Sequence, residues 1–324
     1  MSVSPAETPA FSIIVVSYNT RQMTLDCLSS IYAETKGNFE IIVVDNASDD
    51  GSQEAIRRDF PEVTLIAETV NHGFAGAHAI AVPQCRAEML LLLNPDTVVL
   101  DGALDALIAF SRQRPEAGIW GGRTLFADRS LNPASCWHRQ TLWSLFCRAS
   151  GLAVIFPNSE FFNREPYGGW PRDTVREVDI VSGCFFLISR RIWDRLGGFD
   201  PVFRMYGEEA DLCLRAGHMG VRPAITPEAT IIHYGGASEK VRADKMVRLL
   251  QAKAELIKKH FAAHQRRPGL FLLKLWPLSR HVALFVASRL SGKDRLREKA
   301  LVWSNVWDRR AEWCNGFPAS PARA

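Results

Sequence analysis

The residues best suited to chemistry follow an apolar run. Met89 to Leu93 has no polar interruption, as is typical of a strand covered on both faces in a parallel sheet, and it ends in Asn94-Pro95-Asp96. Amide and carboxylate oxygens this close together suit a hard divalent cation, which usually binds substrate phosphates as well. An ordinary Asn-Pro-Asp turn is the alternative, and these residues alone leave both interpretations open.

Three earlier apolar runs also end in polar residues. They span residues 11–16, 39–44 and 63–67, and helices are predicted between them. This alternation predicts βαβ units, and right-handed crossovers gather the carboxyl ends of the strands at one edge of the sheet, where ligands bind. That edge is predicted to collect Ser17, Asn19, Asp45, Asn46, Asn71, Gly73, Asn94 and Asp96.

Two later segments carry further candidates. Glu208, Glu209 and Asp211 lie at the start of a predicted helix, where the positive end of the helix dipole favours acidic side chains. His233 ends a predicted short strand that begins at Thr230. Alternatively, the three acids are only solvent-exposed charges at the start of a helix, and the histidine has a structural role.

The charge of the chain is unevenly distributed. Residues 239–310 contain 18 Lys and Arg against 6 Asp and Glu, a net of +12, whereas the remainder has a net of −8. A basic amphipathic helix is predicted from Glu239 to Phe261, and residues 268–310 mix basic, aromatic and aliphatic residues. This pattern favours a helix that lies in a membrane interface over one that crosses it; packing against the rest of the chain or a second subunit is the alternative.

Several protein classes are disfavoured. The seven cysteines are scattered and never form C-x-x-C, so neither a disulfide framework nor a zinc site is predicted, and a reducing cytosol fits best. The first ten residues lack the pattern of a signal peptide. Neither the dinucleotide-binding nor the P-loop glycine motif occurs, and no nucleic-acid-binding module accompanies the basic segment.

From Phe11 to Ser238 the chain resembles the inverting nucleotide-sugar glycosyltransferases of family 2, and especially their bacterial rhamnosyltransferase-like branch. Eight motifs in order carry the resemblance: VVSYN at 15–19, VVDNASDDGS at 43–52, NHGFAGA at 71–77, LLLNPD at 91–96, VSGCFFLISR at 181–190, GGFDPVF at 197–203, YGEEADLCLR at 206–215 and HYGGAS at 233–238. The resemblance implies an α/β protein with the GT-A nucleotide-diphospho-sugar transferase fold. A mostly parallel central sheet flanked by helices and a C-terminal helical appendage are expected.

The resemblance also implies roles for individual residues. Those expected to bind the nucleotide sugar are Ser17, Tyr18, Asn19, Asp45, Asn71, Gly73, Phe74, Asn94 and Asp96, with Asp45 accepting the N3–H of uracil or thymine. Mg²⁺ or Mn²⁺ is expected as cofactor, bound by Asp96 and His233, although Asn94 stands where many relatives have a carboxylate. Glu209 is the first choice and Glu208 the second for the base that deprotonates the acceptor hydroxyl.

The predicted function is that of a metal-dependent hexosyltransferase, most plausibly moving L-rhamnose from dTDP-rhamnose to a lipid-linked or growing surface polysaccharide. A UDP-hexose or UDP-amino-sugar donor and a non-catalytic sugar-nucleotide-binding scaffold protein are the alternatives. Residues 239–310 would bind the inner face of the cytoplasmic membrane, and an oligomer is possible. The predicted organisation is a disordered N-terminus (1–10), a catalytic domain (11–238), a basic helical extension (239–314) and a tail (315–324).

Overall fold

The computed structural model of the protein describes residues 8–203, 205–235 and 242–317. The chain divides into two compact units. The first, called the sheet unit here, comprises Met1–Cys136, Pro171–Pro201 and Leu212–Ser238. The second, the helical unit, comprises Trp137–Trp170, Val202–Asp211 and Glu239–Ala324.

The strands belong mainly to one sheet. They are β1 (Phe11–Ser17), β2 (Phe39–Asn46), β3 (Thr64–Glu68), β4 (Met89–Leu93), β5 (Thr97–Val99), β6 (Ile119–Leu125), β7 (Leu131–Asn132), β8 (Cys136–Trp137), β9 (Arg176–Glu177), β10 (Ile180–Val181), β11 (Phe185–Ser189) and β12 (Ala224–His233). Within the large sheet the order is β3-β2-β1-β4-β11-β6-β12-β5. The first four strands pair in parallel, and β11 is antiparallel to both of its neighbours.

The helices complete both units. They are α1 (Arg21–Glu34), α2 (Ser52–Asp59), α3 (Gly73–Ala81), α4 (Ala103–Gln113), α5 (Leu142–Ser150), α6 (Leu152–Ile155), α7 (Arg190–Leu196), α8 (Glu208–His218), α9 (Arg242–His260), α10 (Ala263–Ser291), α11 (Asp294–Asp308) and α12 (Arg310–Trp313). The helical unit holds α5, α6, α9 to α12 and the first turn of α8.

Each unit has its own apolar core. In the sheet unit, Ile13, Val43 and Leu91 from adjacent strands pack with Leu28 of α1 and Leu107 of α4. Continuous apolar strands form there because helices cover the sheet, so both strand faces are removed from water. In the helical unit, the core is formed by residues on α5, α9, α10, α11 and α12: Leu145, Leu250, Ile257, Leu273, Trp276, Val306 and Trp313.

Most predicted elements of the sheet unit are confirmed, and their differences have local causes. The strand predicted from Val178 to Ser189 is two strands, β10 and β11, separated at 182–184. The short strand predicted at Thr230 to His233 is the end of β12, which begins at Ala224 and passes an irregularity at Pro227. Strand β5 escaped prediction because it has only three residues.

The stretch 128–177, which follows β6, contains the helices α5 and α6. Residues 1–7 of the predicted disordered N-terminus, Ser238 of the last motif and residues 318–324 of the predicted tail lie outside the described residues. The boundary predicted between 238 and 239 also falls outside them, so the division into domains 11–238 and 239–314 stays a prediction.

Candidate functional site

The site is built on the loops that follow the parallel strands of the sheet unit. Asn19, after β1, has a positive φ of 53°, a conformation that asparagine tolerates better than most residues. Its backbone N–H donates to Ser48 Oγ at 2.9 Å, and its side-chain oxygen accepts from the Asp49 N–H at 2.9 Å. These two bonds tie the loop after β1 to the loop after β2.

Asp45 ends β2 and is fully buried. One carboxylate oxygen, Oδ1, accepts hydrogen bonds from the Ser48 N–H at 3.0 Å and from Gln53 Nε2 at 2.8 Å. The other, Oδ2, is buried and has no hydrogen-bond partner within the described residues. A buried carboxylate oxygen without a donor is costly, so a donor from a ligand would be stabilising there.

Asn46 links the loop after β2 to the loop after β3. Its side-chain nitrogen donates to Asn71 Oδ1 at 3.1 Å and to the Gly73 carbonyl at 3.2 Å, while its oxygen accepts from the His72 N–H at 2.8 Å. Asn71 Oδ1 also accepts from the Gly73 N–H at 2.8 Å. Gly73 has a φ of 70°, which glycine adopts without steric cost, so the backbone turns sharply into α3.

The pair expected to bind metal meets across two strands. In the register of β5 and β12, His233 lies opposite Thr97, the residue that follows Asp96. The Tyr234 N–H donates to the Asp96 carbonyl at 3.0 Å and extends this pairing. As a result, His233 Nε2 lies 3.4 Å from Asp96 Oδ1, and both side chains are at least 88% buried, with exposures of 12% and 9%.

The protonation of this pair follows from its surroundings. Burial alone would raise the pKa of Asp96, but His233 and the backbone N–H groups of Asp96 and Gly235 outweigh it and lower the pKa. Burial alone would lower the pKa of His233, but the nearby Cys184 and Asp96 raise it to about 11. The two side chains therefore favour each other's charged forms.

The donor set fits a divalent cation that is shared with a ligand. No cluster of three His, Cys, Asp or Glu suitable for a metal occurs among residues 8–203, 205–235 and 242–317. Two protein ligands agree with Mg²⁺ and Mn²⁺ sites completed by phosphate oxygens and water. Asn94, the other polar residue of the turn, uses its backbone, with its N–H donating to the Cys184 carbonyl at 3.1 Å. Its carbonyl accepts from Thr97 Oγ1 at 2.7 Å.

The remaining predicted residues of this rim differ in exposure. Ser17 is buried, and its hydroxyl lies 2.9 Å from Thr24 Oγ1 and 3.2 Å from Thr20 Oγ1 at the start of α1. Tyr18 is 44% exposed, which leaves its ring accessible to a ligand. Phe74 packs beside Phe199, with ring centroids 5.9 Å apart, and so connects two of the predicted motifs.

The acidic pair Glu208–Glu209 belongs to the helical unit and starts α8. Glu208 is buried, with 4% exposure, and its Oε2 has no hydrogen-bond partner within the described part of the chain. Burial, followed by the charge of Glu209, raises the pKa of Glu208 well above its usual value. Glu209 is partly exposed, and its pKa is raised chiefly by burial. A raised pKa strengthens a carboxylate as a base.

Sequence reasoning did not assign functional roles to Asn46 and Cys184. Asn46 was placed at the rim, but its three bonds to the next loop depend on side-chain directions that a motif does not specify. Cys184 lies in the turn between β10 and β11, beside His233. The sequence offered no signal for this contact, because the strand was expected to continue through 182–184.

Aromatic residues between 137 and 170 form a cluster in the helical unit. Trp143 contacts Phe146 and Phe161, with centroid distances of 5.6 and 5.0 Å. Phe161 is 61% exposed, and the aliphatic Val154 and Ile155 of α6 are 64% and 66% exposed. The cluster is therefore an accessible apolar surface.

The chain is similar to a known protein family, to curated proteins and to solved structures. A model of the family described as "Glycosyl transferase family 2" matches residues 12–197, more than half of the chain. Among solved structures, the mannosyltransferase PcManGT from Pyrobaculum calidifontis, in complex with GDP-Man and Mn²⁺, has a TM-score of 0.59 at 18% sequence identity. The similarity covers 96% of this chain and 89% of that one, and shows the fold.

Three curated relatives each match about 70% of this chain. The N-acetylglucosaminyl-diphospho-decaprenol L-rhamnosyltransferase of Mycobacterium tuberculosis (strain H37Rv) is 26% identical over 70% of this chain and 76% of its own. Rhamnosyltransferase WbbL of Escherichia coli K12 is 29% identical over 68% and 82%. The O-antigen biosynthesis protein RfbC of Myxococcus xanthus is 28% identical over 73% of this chain, which spans only 18% of RfbC.

Proposed function

Since the chain belongs to glycosyl transferase family 2, we propose that it transfers L-rhamnose from dTDP-rhamnose, with inversion, to a lipid-linked or growing surface glycan. The family and the GT-A fold predicted from the eight motifs are confirmed. The donor and acceptor are proposed from two relatives, both named rhamnosyltransferases, one of them for a decaprenol-linked sugar.

The single observation that carries the proposal is the buried Asp45 carboxylate. Its Oδ1 is held by Ser48 and Gln53, while its Oδ2 has no donor within the described residues. The N3–H of thymine or uracil is a donor suited to that oxygen, whereas adenine and cytosine have no ring N–H donor in their common tautomers. Because leaving the acceptor unpaired is costly, it favours a base with a ring N–H, which is thymine, uracil or guanine, and the names of the two relatives favour thymine among these.

Asp96 and His233 would hold the cofactor, Mg²⁺ or Mn²⁺, beside the diphosphate. A divalent cation bound there supplies Lewis-acid stabilisation for the negative charge that develops on the departing diphosphate. A histidine must be neutral to act as a ligand, and Cys184 and Asp96 raise the pKa of His233, so binding of a cation there would release a proton. Asp96 is already ionised and needs no such step.

Glu209 is the proposed base. It is more exposed than Glu208, so it is the member of the pair that an acceptor hydroxyl reaches more easily. Burial raises the pKa of both carboxyl groups, and the charge of Glu209 raises that of Glu208 further. In the proposed reaction the acceptor oxygen attacks the anomeric carbon, its proton passes to Glu209, and the nucleoside diphosphate leaves.

The donor is tested by incubating the purified protein with dTDP-rhamnose, UDP-glucose, UDP-N-acetylglucosamine and GDP-mannose, together with Mn²⁺ and a bacterial lipid extract. Release of dTDP from dTDP-rhamnose and a rhamnose-labelled lipid product are expected. Faster turnover of a UDP-sugar would show that the donor is a UDP-hexose or UDP-amino sugar, whose uracil suits the Asp45 contact equally well. Binding of nucleotide sugars without any transfer would instead support a non-catalytic scaffold.

A peripheral position on the inner face of the cytoplasmic membrane is part of the proposal, and α10 supports it. Five large apolar side chains of this helix are exposed: Phe271 (60%), Val282 (51%), Phe285 (48%), Val286 (49%) and Leu290 (84%). At 100° per residue the first four fall on one face, opposite the buried Leu273 and Trp276, and Leu290 lies at the edge of that face. The helix contains five Lys and Arg and no Asp or Glu, which complements anionic lipid.

Length and composition alone would allow α10 to cross a membrane, and 17% of its most apolar window is buried. Packing of Leu273 and Trp276 into the core of the helical unit instead favours a helix lying in the interface plane. Co-sedimentation with phosphatidylglycerol vesicles tests this: Phe271→Ser with Phe285→Ser should weaken binding at least tenfold. The exposed Val70→Ser, in the sheet unit, serves as the control. Equal binding by all three proteins would refute the α10 contact.

A further inference from the structure

The segment that carries the proposed base is part of the helical unit. Residues Val202–Asp211 group with Glu239–Ala324, although the two stretches are separated in sequence by 27 residues of the sheet unit. Glu208 and Glu209 therefore belong to the same compact unit as the C-terminal helices, and contacts on both sides of the pair attach it to them.

Asp211 anchors the C-terminal side of the pair. Its side chain is fully buried, and Oδ1 lies 2.7 Å from Lys259 Nζ and 2.8 Å from His260 Nε2. The Asp211 N–H donates to the Gly207 carbonyl at 2.8 Å and closes the first turn of α8 around the pair. A helix rises only about 1.5 Å per residue, so the backbone between Gly207 and Asp211 is short. Holding Asp211 in place therefore also restricts the backbone of Glu208 and Glu209.

Gly207 anchors the N-terminal side. It has a φ of 91°, and a Cβ at this position would lie 3.1 Å from Ala252 Cβ of α9 and 3.0 Å from the Phe203 ring. Phe203 is fully buried, contacts Phe317 at a centroid distance of 5.8 Å, and has the Lys259 ammonium 5.7 Å from its ring. The backbone at Gly207 thus packs directly on α9, where a side chain would have to displace its neighbours.

The charges of the two helix ends suit this arrangement. Lys259 and His260 lie in the last turn of α9, where the negative end of the helix dipole favours cations. Asp211 lies in the first turn of α8, where the positive end favours anions. A buried carboxylate needs cationic or hydrogen-bonding partners, and Lys259 and His260 supply them to Asp211.

We propose that Lys259 and His260 are positioning residues, which hold Glu208 and Glu209 in their catalytic geometry by anchoring Asp211 to the end of α9. The inference rests on the proposed function, in which this pair supplies the base. It assigns the C-terminal extension a part in the transfer step, in addition to any contact with a membrane. A displacement of the base by about 1 Å can lower the rate of a reaction about 100-fold.

The test compares Lys259→Met and His260→Gln with Lys258→Met, a neighbour on α9 that pairs with Glu255 at 2.8 Å and does not contact Asp211. The first two variants should lower kcat about 10- to 100-fold with the KM for the sugar nucleotide changed less than threefold. Lys259→Arg should restore most of kcat, because it preserves the cation. Lys258→Met should behave as the wild type.

Amide hydrogen exchange supplies a readout that needs no turnover. Exchange at 208–212 should accelerate at least tenfold in Lys259→Met and in His260→Gln, and remain unchanged in Lys258→Met. If the wild type transfers sugar and the first two variants keep both kcat and slow exchange, the positioning role is wrong and the proposed function stands. If the wild type transfers no sugar, the proposed function fails, and unchanged exchange in the variants would overturn the anchor as well.

Discussion

Replacing Glu165 should destabilise the helical unit more than any exposed substitution. Glu165 is 3% exposed, and its Oε2 lies 2.8 Å from Lys253 Nζ and 3.2 Å from Arg148 Nη2. Its Oε1 accepts a hydrogen bond from Ser144 Oγ at 3.2 Å. Burial alone would raise the pKa of Glu165, but these two cations and the hydroxyl lower it to about 2.

The magnitude follows from this pKa. A fall from 4.5 to about 2 corresponds to roughly 3 kcal/mol, at about 1.4 kcal/mol per pKa unit. The usual cost of breaking a buried ion pair by removing one partner is about 3–5 kcal/mol. We therefore expect Glu165→Gln, which keeps the shape and leaves the cations uncompensated, to lower the free energy of unfolding by about 3 kcal/mol.

The pH dependence has a definite sign. Because the pKa of Glu165 is lower in the folded protein, its stabilisation is complete above the unfolded pKa of about 4.3. It is lost as the pH falls through about 2. The difference in stability between wild type and Glu165→Gln should accordingly be constant near pH 7 and shrink progressively below about pH 4.5.

Thermal unfolding measures the effect. At about 2–4 °C per kcal/mol, the unfolding midpoint of Glu165→Gln should fall by roughly 6–12 °C. Lys253→Met should cost less, because burial lowers the pKa of Lys253 and Arg148 still faces the carboxylate. Glu298→Gln, at an exposed site on α11, is the control and should change the midpoint by less than 2 °C. A shift in Glu165→Gln no larger than the control would refute the reasoning.

Three further predictions concern the sheet unit and the base. Asp45→Asn should weaken binding of UDP and dTDP about tenfold or more in calorimetry, because a charged acceptor is lost, with the exposed Asp59→Asn unchanged. Asp96→Asn should weaken Mn²⁺ binding in the presence of dTDP at least tenfold, measured by water proton relaxation; equal affinity would exclude Asp96 as a ligand. Glu209→Gln should lower kcat about 10²- to 10⁴-fold, and full activity would reassign the base.

The strands of the sheet and the polar residues at its edge could be predicted because each is specified by a short, continuous stretch of sequence. A buried parallel strand requires a continuous apolar run, and the polar residue that ends the run marks the edge where ligands bind. Asp45 and Asp96 were recognised in this way. The strand order was not readable, because the position of β11 between β4 and β6 depends on pairings between distant segments.

The residues that sequence reasoning missed make contacts with distant segments, and no local sequence pattern marks these contacts. Strand β5 has three residues, too few for a periodic signal, yet its pairing with β12 brings His233 to Asp96. The bonds from Lys259 and His260 to Asp211 span 48 and 49 positions of sequence. A motif identifies the acids of α8, but only the fold shows what holds them.

The two asparagine links of the rim have a thermodynamic consequence. Asn19 joins the first loop to the second, and Asn46 joins the second to the third, so three separate connections are already braced without any ligand. A nucleotide bound at this rim, as proposed, would immobilise few additional backbone torsions and so lose little entropy. Its affinity should then depend mainly on the contacts it gains. Loss of the Asn19 or the Asn46 hydrogen bonds would lower both the association rate and the affinity of the nucleotide.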